Sequence, residues 1–146
     1  MKFKTPTSSV LYTLEQAIKE YRKLCQKNID DMVDDMTVDQ CLVLIILNDQ
    51  ISLSQKEISE LIFKDTASVA RMVELMVQKG YLTRTMHKTD RRKFQLGITA
   101  KGKKALVKLS PIVEQNRSTA LRGVSAAEIA QLYTTLQKLI SNCQSS

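Results

Sequence analysis

One segment decides the fold: SQKEISELIFKDTASVARMVELMVQKGY, residues 54–81, which contains two helix patterns with a very short connection between them. Its first four residues, SQKE, form a capping-box pattern, in which the serine hydroxyl and the glutamate carboxylate bind free amides at a helix start. A second helix is predicted from Asp65 or Thr66 to Lys79, where Gly80 suits the left-handed backbone that ends many helices. This order predicts a helix-turn-helix unit.

The periodicity changes after this unit. Phe94, Leu96 and Ile98 alternate with polar or small residues, which is a strand pattern. Residues 81–86 form a plausible partner strand, and the polar residues 87–91 between the two can turn. A basic hairpin that directly follows a helix-turn-helix predicts a winged helix-turn-helix fold.

Helices are predicted on both sides of this unit. Apolar residues at helical spacing predict a first helix over about residues 7–28. TVDQ at 37–40 is a capping box that opens a second, buried helix. Thr99 begins a long helix that Gly123 ends, and a third capping box, SAAE at 125–128, opens the last helix. We therefore predict a mainly α (α+β) fold with four helices, two strands and two further helices, in that order.

The terminal helices carry apolar stripes, and a chain of 146 residues has little else to cover them. Self-association would bury the stripes and would place two recognition helices about one DNA turn apart. We expect residues 37–108 to form the DNA-binding domain and residues 1–36 and 109–146 to form a helical dimerisation region. Packing of the stripes within one copy is the alternative.

Basic charge is concentrated in the centre of the chain. Residues 64–108 contain 12 Lys and Arg against 3 Asp and Glu, a net charge of +9. The net charge is −3 over residues 1–63 and +1 over residues 109–146. A localised basic patch indicates a polyanionic partner, usually nucleic acid, although a solvated basic face is the alternative.

Two groups of residues are candidates for contact with double-stranded DNA. The second helix of the helix-turn-helix starts with small or hydrogen-bonding residues and one arginine, which suits approach to the major groove and a bidentate contact to guanine. The predicted hairpin tip carries cations suited to phosphates and the minor groove, with one aspartate that can aim an arginine. The candidates are Thr66, Ala67, Ser68, Ala70, Arg71, Lys88, Asp90, Arg91, Arg92 and Lys93.

Several motifs occur together in one known family. TVDQ is followed by LMVQKGYLTR at 75–84, and DRR at 90–92 precedes LGITAKG at 96–102. In this combination the chain resembles the MarR family of winged helix-turn-helix transcriptional regulators. The resemblance implies homodimers that bind pseudo-palindromic operators, usually as repressors. It also implies release of the DNA when a small aromatic acid or an oxidant acts, as in many members of the family. It also implies that Arg71 is the recognition-helix arginine and that Arg92 of the wing meets the minor groove.

The resemblance further implies an effector pocket between the dimer helices and the DNA-binding lobe, for a small aromatic or anionic ligand. Its candidate lining residues are Tyr21, Met32, Met36 and Leu44, although residues of these types at helical spacing are more often core. Cys25 is a candidate oxidant sensor, because the neighbouring basic residues can lower a thiol pKa. A buried Cys that acts only as a small apolar residue is the more common case.

The sequence contains no catalytic pattern: no nucleophile with a base, no paired carboxylates and no glycine-rich phosphate loop. We expect no enzymatic activity, no cofactor and no metal site. The start, MKFKTPTSS, has no apolar signal region, and the apolar run at 41–47 is too short to span a membrane. A cytoplasmic protein is expected. The alternatives to a ligand-released repressor are a thiol-based redox regulator and a winged-helix protein-interaction module.

Overall fold

The computed structural model describes residues 5–50, 52–86, 89 and 94–145. Within these residues it has six α-helices and a two-stranded antiparallel sheet, in the predicted order. The elements are α1 Val10–Asp30, α2 Val38–Asp49, α3 Gln55–Leu61, α4 Thr66–Gln78, β1 Leu82–Met86, β2 Phe94–Ile98, α5 Ala100–Ala120 and α6 Ala126–Gln144. The chain divides into two compact units, Met1–Asn116 and Arg117–Ser146.

The three predicted capping boxes are confirmed at the starts of α2, α3 and α6. In the first, the Thr37 hydroxyl accepts from the Gln40 amide and the Gln40 side chain accepts from the Thr37 amide, both at 3.1 Å. Each box satisfies two amides that a helix start leaves free. These local contacts explain why the starts of these helices could be located from the sequence.

The ends of the long helices differ from the prediction. The first helix begins at Val10 because Pro6–Ser8 forms a 3-10 turn and the Ser9 hydroxyl caps the helix by accepting from the Leu11 amide. It continues to Asp30, two residues further than predicted. α5 continues through Pro111 and ends at Ala120, three residues before Gly123, which has a φ of +77°.

The core of the first unit lies around α2, whose apolar run is buried as predicted. Val43, Leu44 and the inner face of α4 are fully shielded from solvent. Burial raises the pKa of the Cys41 thiol to about 12, so this thiol stays protonated at neutral pH. A side-chain hydrogen bond adds to this apolar packing. Asn28 Nδ2 of α1 donates to Oδ1 of the buried Asn116 of α5 at 2.6 Å.

The two strands pair antiparallel, with Leu82 opposite Ile98 and Arg84 opposite Leu96. Leu82 and Leu96 are both buried in the core. This register fixes the base of the wing to the helix-turn-helix, since a shift of one residue would turn both leucines towards solvent.

A tight junction joins the end of α4 to the start of α5. The Thr99 hydroxyl donates to the Gly80 carbonyl at 2.6 Å and accepts from the Gly102 amide at 3.0 Å. Gly102 is buried against the strand start, because a Cβ atom there would lie 2.5 Å from the Tyr81 carbonyl oxygen and 2.7 Å from Ile98 Cγ2. Only glycine therefore allows α5 to approach this closely.

We expect Gly102→Ala to destabilise the protein by about 1–3 kcal/mol, because the new methyl group overlaps backbone that cannot move away cheaply. The sign of this change in unfolding free energy identifies the close contact, since a glycine-to-alanine substitution inside a helix ordinarily stabilises a protein by roughly 0.5–1 kcal/mol. Urea unfolding followed by circular dichroism measures the change, with Lys103→Ala at the exposed neighbouring position as the control. A Gly102→Ala variant as stable as the wild type would contradict the packing described.

Candidate nucleic-acid interface

The start of α4 carries a chain of hydrogen bonds on its exposed side. Asp65 caps the helix by accepting from the Ser68 amide at 2.8 Å and from the Ser68 hydroxyl at 2.7 Å. Arg71 donates through Nη2 to the same hydroxyl at 3.3 Å. The hydroxyl and amide of Ser68 hold the pKa of Asp65 below its usual range, so the carboxylate is charged at neutral pH. The arginine is thus oriented by a neighbour that the helix cap itself fixes.

The predicted recognition residues lie together at the start of α4. Thr66, Ala67 and Arg71 are exposed, while Ser68 and Ala70 are half-buried. The opposite face of the helix is buried, as predicted. Small side chains beside one long donor leave the backbone of α4 accessible to a groove. Contact of these residues with DNA stays a prediction.

The predicted wing-tip residues Lys88, Asp90, Arg91, Arg92 and Lys93 lie outside the described residues. The strands that lead to them are described.

An arginine of β1, missed in the sequence, links the wing to both helices of the helix-turn-helix. Arg84 forms an ion pair with Glu74 of α4 at 3.1 Å and donates to Gln55 of α3 at 3.2 Å. Its side chain is largely buried. The contact fixes the direction in which the hairpin leaves the domain.

A second network, also missed, joins α1 to the turn before α4. Asp39 of α2 accepts from Arg22 at 2.7 Å through one oxygen and pairs with Lys64 at 3.2 Å through the other. Lys64 immediately precedes Asp65, the cap of α4. The position of α4 is therefore tied to α1 through one carboxylate.

Phe63 is the most exposed large apolar residue in the described part of the chain, at 94%, and it lies in the turn between α3 and α4. Its φ of +60° is in the left-handed region, which is an outlier for a bulky residue. Glycine or asparagine usually occupies such a position, and the segment IFKD contains neither, so no residue type in it predicts this conformation. The strain and the exposure together make Phe63 a further candidate contact residue at this surface.

The four candidate pocket residues occupy different environments. Met36 and Leu44 are core side chains, and Tyr21 is half-buried on α1. Met32 is exposed and lines a cavity of about 500 Å³. Met36 and Leu44 are enclosed by core neighbours in the single chain, and an effector pocket lined by these four residues stays a prediction.

The cysteines differ in accessibility. Cys25 and Cys41 are buried, while Cys143 on α6 is exposed. In the part of the chain that the structure covers, no group of three or more His, Cys, Asp or Glu residues could hold a metal ion. Over the same residues, none of the helices is both long enough and apolar enough to cross a membrane.

Comparison with known proteins finds similarity that centres on the winged helix-turn-helix. Residues 36–94 match the model of the MarR family. The HTH-type transcriptional regulator BilQ of Clostridium symbiosum (strain WAL-14163) is 34% identical over 86 residues, which is 59% of this chain and 60% of BilQ.

Over its winged helix-turn-helix, this chain is similar to the MarR family, and it spans 60% of the length of BilQ.

Two solved structures of similar fold extend the comparison over nearly the whole chain. Bordetella bronchiseptica BpsR, studied for regulation of its DNA binding by 6-hydroxynicotinic acid, superposes with a TM-score of 0.83 at 24% identity, covering 94% of this chain and 97% of BpsR. S. aureus MepR, solved in complex with DNA, gives a TM-score of 0.83 at 20% identity, covering 92% and 98%. At these identities the likeness shows that the fold is that of MarR-family proteins.

We expect Phe63→Gly to stabilise the protein by about 1 kcal/mol, because glycine adopts positive φ without strain and little packing is lost. Phe63→Ala, which removes the ring but keeps a Cβ atom, should not give this gain. Thermal unfolding of both variants checks the difference. A lower Tm for Phe63→Gly than for Phe63→Ala would show that the backbone of Phe63 is not in the left-handed conformation described above.

In native protein at pH 8 we expect Cys143 to react rapidly with a thiol reagent such as DTNB, and Cys25 and Cys41 to react only on unfolding. The buried thiols are shielded, and a pKa of about 12 leaves almost no thiolate at Cys41. Cys143→Ser should abolish the fast phase. A remaining fast thiol that mass spectrometry assigns to Cys25 would favour the redox-sensing alternative.

Proposed function

We propose that this chain is a homodimeric transcriptional repressor of the MarR type that binds a pseudo-palindromic operator in double-stranded DNA. The observation that carries the proposal is the start of α4, where Arg71 is oriented by Ser68 beside exposed small residues. An arginine held in this way can donate two hydrogen bonds to guanine in the major groove. Its conformational freedom is already reduced before binding, which favours affinity.

Electrostatics support DNA as the partner. The segment that contains α4, the hairpin and the start of α5 has a net charge of +9, whereas the rest of the chain is close to neutral. Neutralisation of phosphates by such a segment releases counterions and gives binding that falls steeply with salt. Base contacts near Arg71 would then select the sequence.

Apolar residues on α6 support a dimer. No residue of this 19-residue helix is buried in the single chain, although Ile129, Leu132, Tyr133 and Ile140 are large apolar side chains. An exposed apolar face of this kind is typical of a surface that a partner covers. A second copy would also supply the second recognition helix that a palindromic site requires. The dimerisation role of residues 1–36 and 109–146 rests on this reasoning.

Release by a small molecule completes the proposal. The DNA binding of BpsR, which shares this fold, is regulated by 6-hydroxynicotinic acid. In this chain the Asp39 carboxylate connects α1 to the residue before the α4 cap. A ligand that alters this network would shift the recognition helix and so change the affinity for DNA.

Selection of bound duplexes from a random DNA pool tests the proposal, with wild type, Arg71→Ala and Arg122→Ala compared side by side. Wild type should enrich a palindrome. Arg71→Ala should relax the selection at one position in each half-site and weaken binding by about 1–3 kcal/mol. Arg122→Ala removes the same charge from an exposed site in the second unit and should retain the enriched sequence. The affinity should fall steeply between low and physiological salt.

Two outcomes would contradict the proposal. Equal binding of all duplexes would remove the sequence-specific role, and an Arg71→Ala profile identical to wild type would remove base readout by this arginine. Light scattering should give twice the mass of one chain. An intact dimer that enriches no DNA would favour the alternative of a winged-helix protein-interaction module.

A further inference from the structure

The turn that ends α3 places one aromatic side chain on the surface beside α4. Ile62 follows the last residue of α3 and is buried, and the Lys64 amide donates to the Ser59 carbonyl at 2.9 Å. A hydrogen bond that closes six residues in this way is the Schellman ending of a helix, in which the residue before the donor has a left-handed backbone. That residue is Phe63, at a position where glycine is usual.

Phe63 is unfavourable in two ways in the single chain. A left-handed backbone strains any residue that has a Cβ atom. The side chain is 94% exposed, so the apolar surface of its ring stays in water. Residues held in strained conformations cluster at binding sites, where the strain is part of the function. The conformation and the exposure of Phe63 therefore indicate a contact that forms when a partner binds.

The residues that follow Phe63 fix its place. Lys64 pairs with Asp39 Oδ2 at 3.2 Å, and Asp65 caps the start of α4. Thr66, the first residue of α4, lies three residues after Phe63, which is at most about 11 Å along an extended chain. The ring thus borders the exposed start of α4, and its backbone is held in position before a partner arrives.

The place of this turn in the helix-turn-helix points to the DNA backbone as the partner. In such units the second helix lies in the major groove and the first helix crosses the backbone. The turn between α3 and α4 would therefore lie at the edge of the groove. Between its phosphates the backbone presents the C–H groups of deoxyribose, which are an apolar surface for an aromatic ring. Arg22 and Lys64 share the Asp39 carboxylate, which leaves one positive charge beside the turn for a neighbouring phosphate.

A protein partner fits this turn less well. Protein-binding sites present contiguous apolar patches. Next to Phe63, Leu61 is half exposed and Ile62 is buried, whereas the two residues that follow are charged. An aromatic ring in such a polar setting suits the DNA backbone, where apolar sugars alternate with charged phosphates.

We propose that the ring of Phe63 packs against a deoxyribose of the DNA backbone in each half-site. The contact would add affinity without selecting a sequence, because it reads no base edge. It would also leave the salt dependence of binding unchanged, because it neutralises no phosphate and releases no counterion. The inference rests on the proposed function, DNA binding through α4, and gives Phe63 a role separate from base readout by Arg71.

Binding to two duplexes over a series of KCl concentrations tests this role. One duplex carries the palindrome that wild type enriches, and the other has the same bases in scrambled order. Phe63→Gly removes the ring and suits the left-handed backbone, and it should bind both duplexes about tenfold more weakly than wild type. Its slope of log affinity against log salt should equal that of wild type. Phe63→Leu keeps an apolar side chain and should retain most of the affinity.

Hydroxyl-radical cleavage reports the deoxyribose contact directly, because the radical attacks the sugars of the DNA backbone. Wild type should protect a deoxyribose in each half-site that Phe63→Gly leaves open to cleavage, at protein concentrations that saturate the DNA in both cases. A residue that only stabilises the fold would not change this pattern. Thermal unfolding should show that every variant is folded.

Val107→Ala is the matched control, because Val107 is a 75% exposed apolar residue of α5 in the same compact unit. It should bind both duplexes like wild type. Equal affinities of wild type and Phe63→Gly would overturn the role of Phe63 and leave the repressor proposal intact. A lower salt slope or the loss of preference for one base in Phe63→Gly would also overturn it, since Phe63 would then support a phosphate contact or read a base. Wild type that binds neither duplex would overturn both proposals.

Discussion

The structure depends on one requirement: α4 must bury one face in the core and leave the opposite face at its start open. Val69, Val73 and Met76 supply the buried face, and each has no exposed surface. Leu44 and Ile58 of the preceding helices are equally buried in the same core. Because protein interiors are close-packed, these contacts determine how far α4 can rotate or slide. The orientation of Arg71 at the surface is therefore a consequence of packing on the other side of the helix.

The elements around α4 fix its position at both ends. At its start, Lys64 is paired with the Asp39 carboxylate, which also holds Arg22 of α1. At its end, the Thr99 hydroxyl binds the Gly80 carbonyl and caps α5. The first contact is an ion pair near the surface, which a competing charge can weaken, whereas the second is a neutral contact in a partly buried junction. A change in helix position is thus easier at the start of α4 than at its end.

Local patterns could be read from the sequence, and long-range contacts could not. The capping boxes at Ser54 and Thr37 are complete within four residues, so their helix starts were predicted correctly. The ion pairs of Asp39 and Arg84 join residues far apart in the chain, and no spacing rule identifies them. Phe63 was missed because its left-handed backbone is not marked by a glycine or an asparagine in the sequence. The assignment of Met36 and Leu44 to a pocket stays a prediction, because apolar residues at helical spacing suit a core and a pocket equally.

Charge is distributed so that affinity and sequence selection would come from different parts of the proposed interface. The exposed start of α4 is nearly neutral, since Asp65 offsets Arg71 and its other outward residues are uncharged. Most of the +9 charge lies further along the segment, in the hairpin and at the start of α5. Phosphate contacts from that region would give strong but unselective binding. A nearly neutral start of α4 adds little to this unselective phosphate binding. The discrimination between bases would therefore come from hydrogen bonds that only the correct DNA sequence can complete.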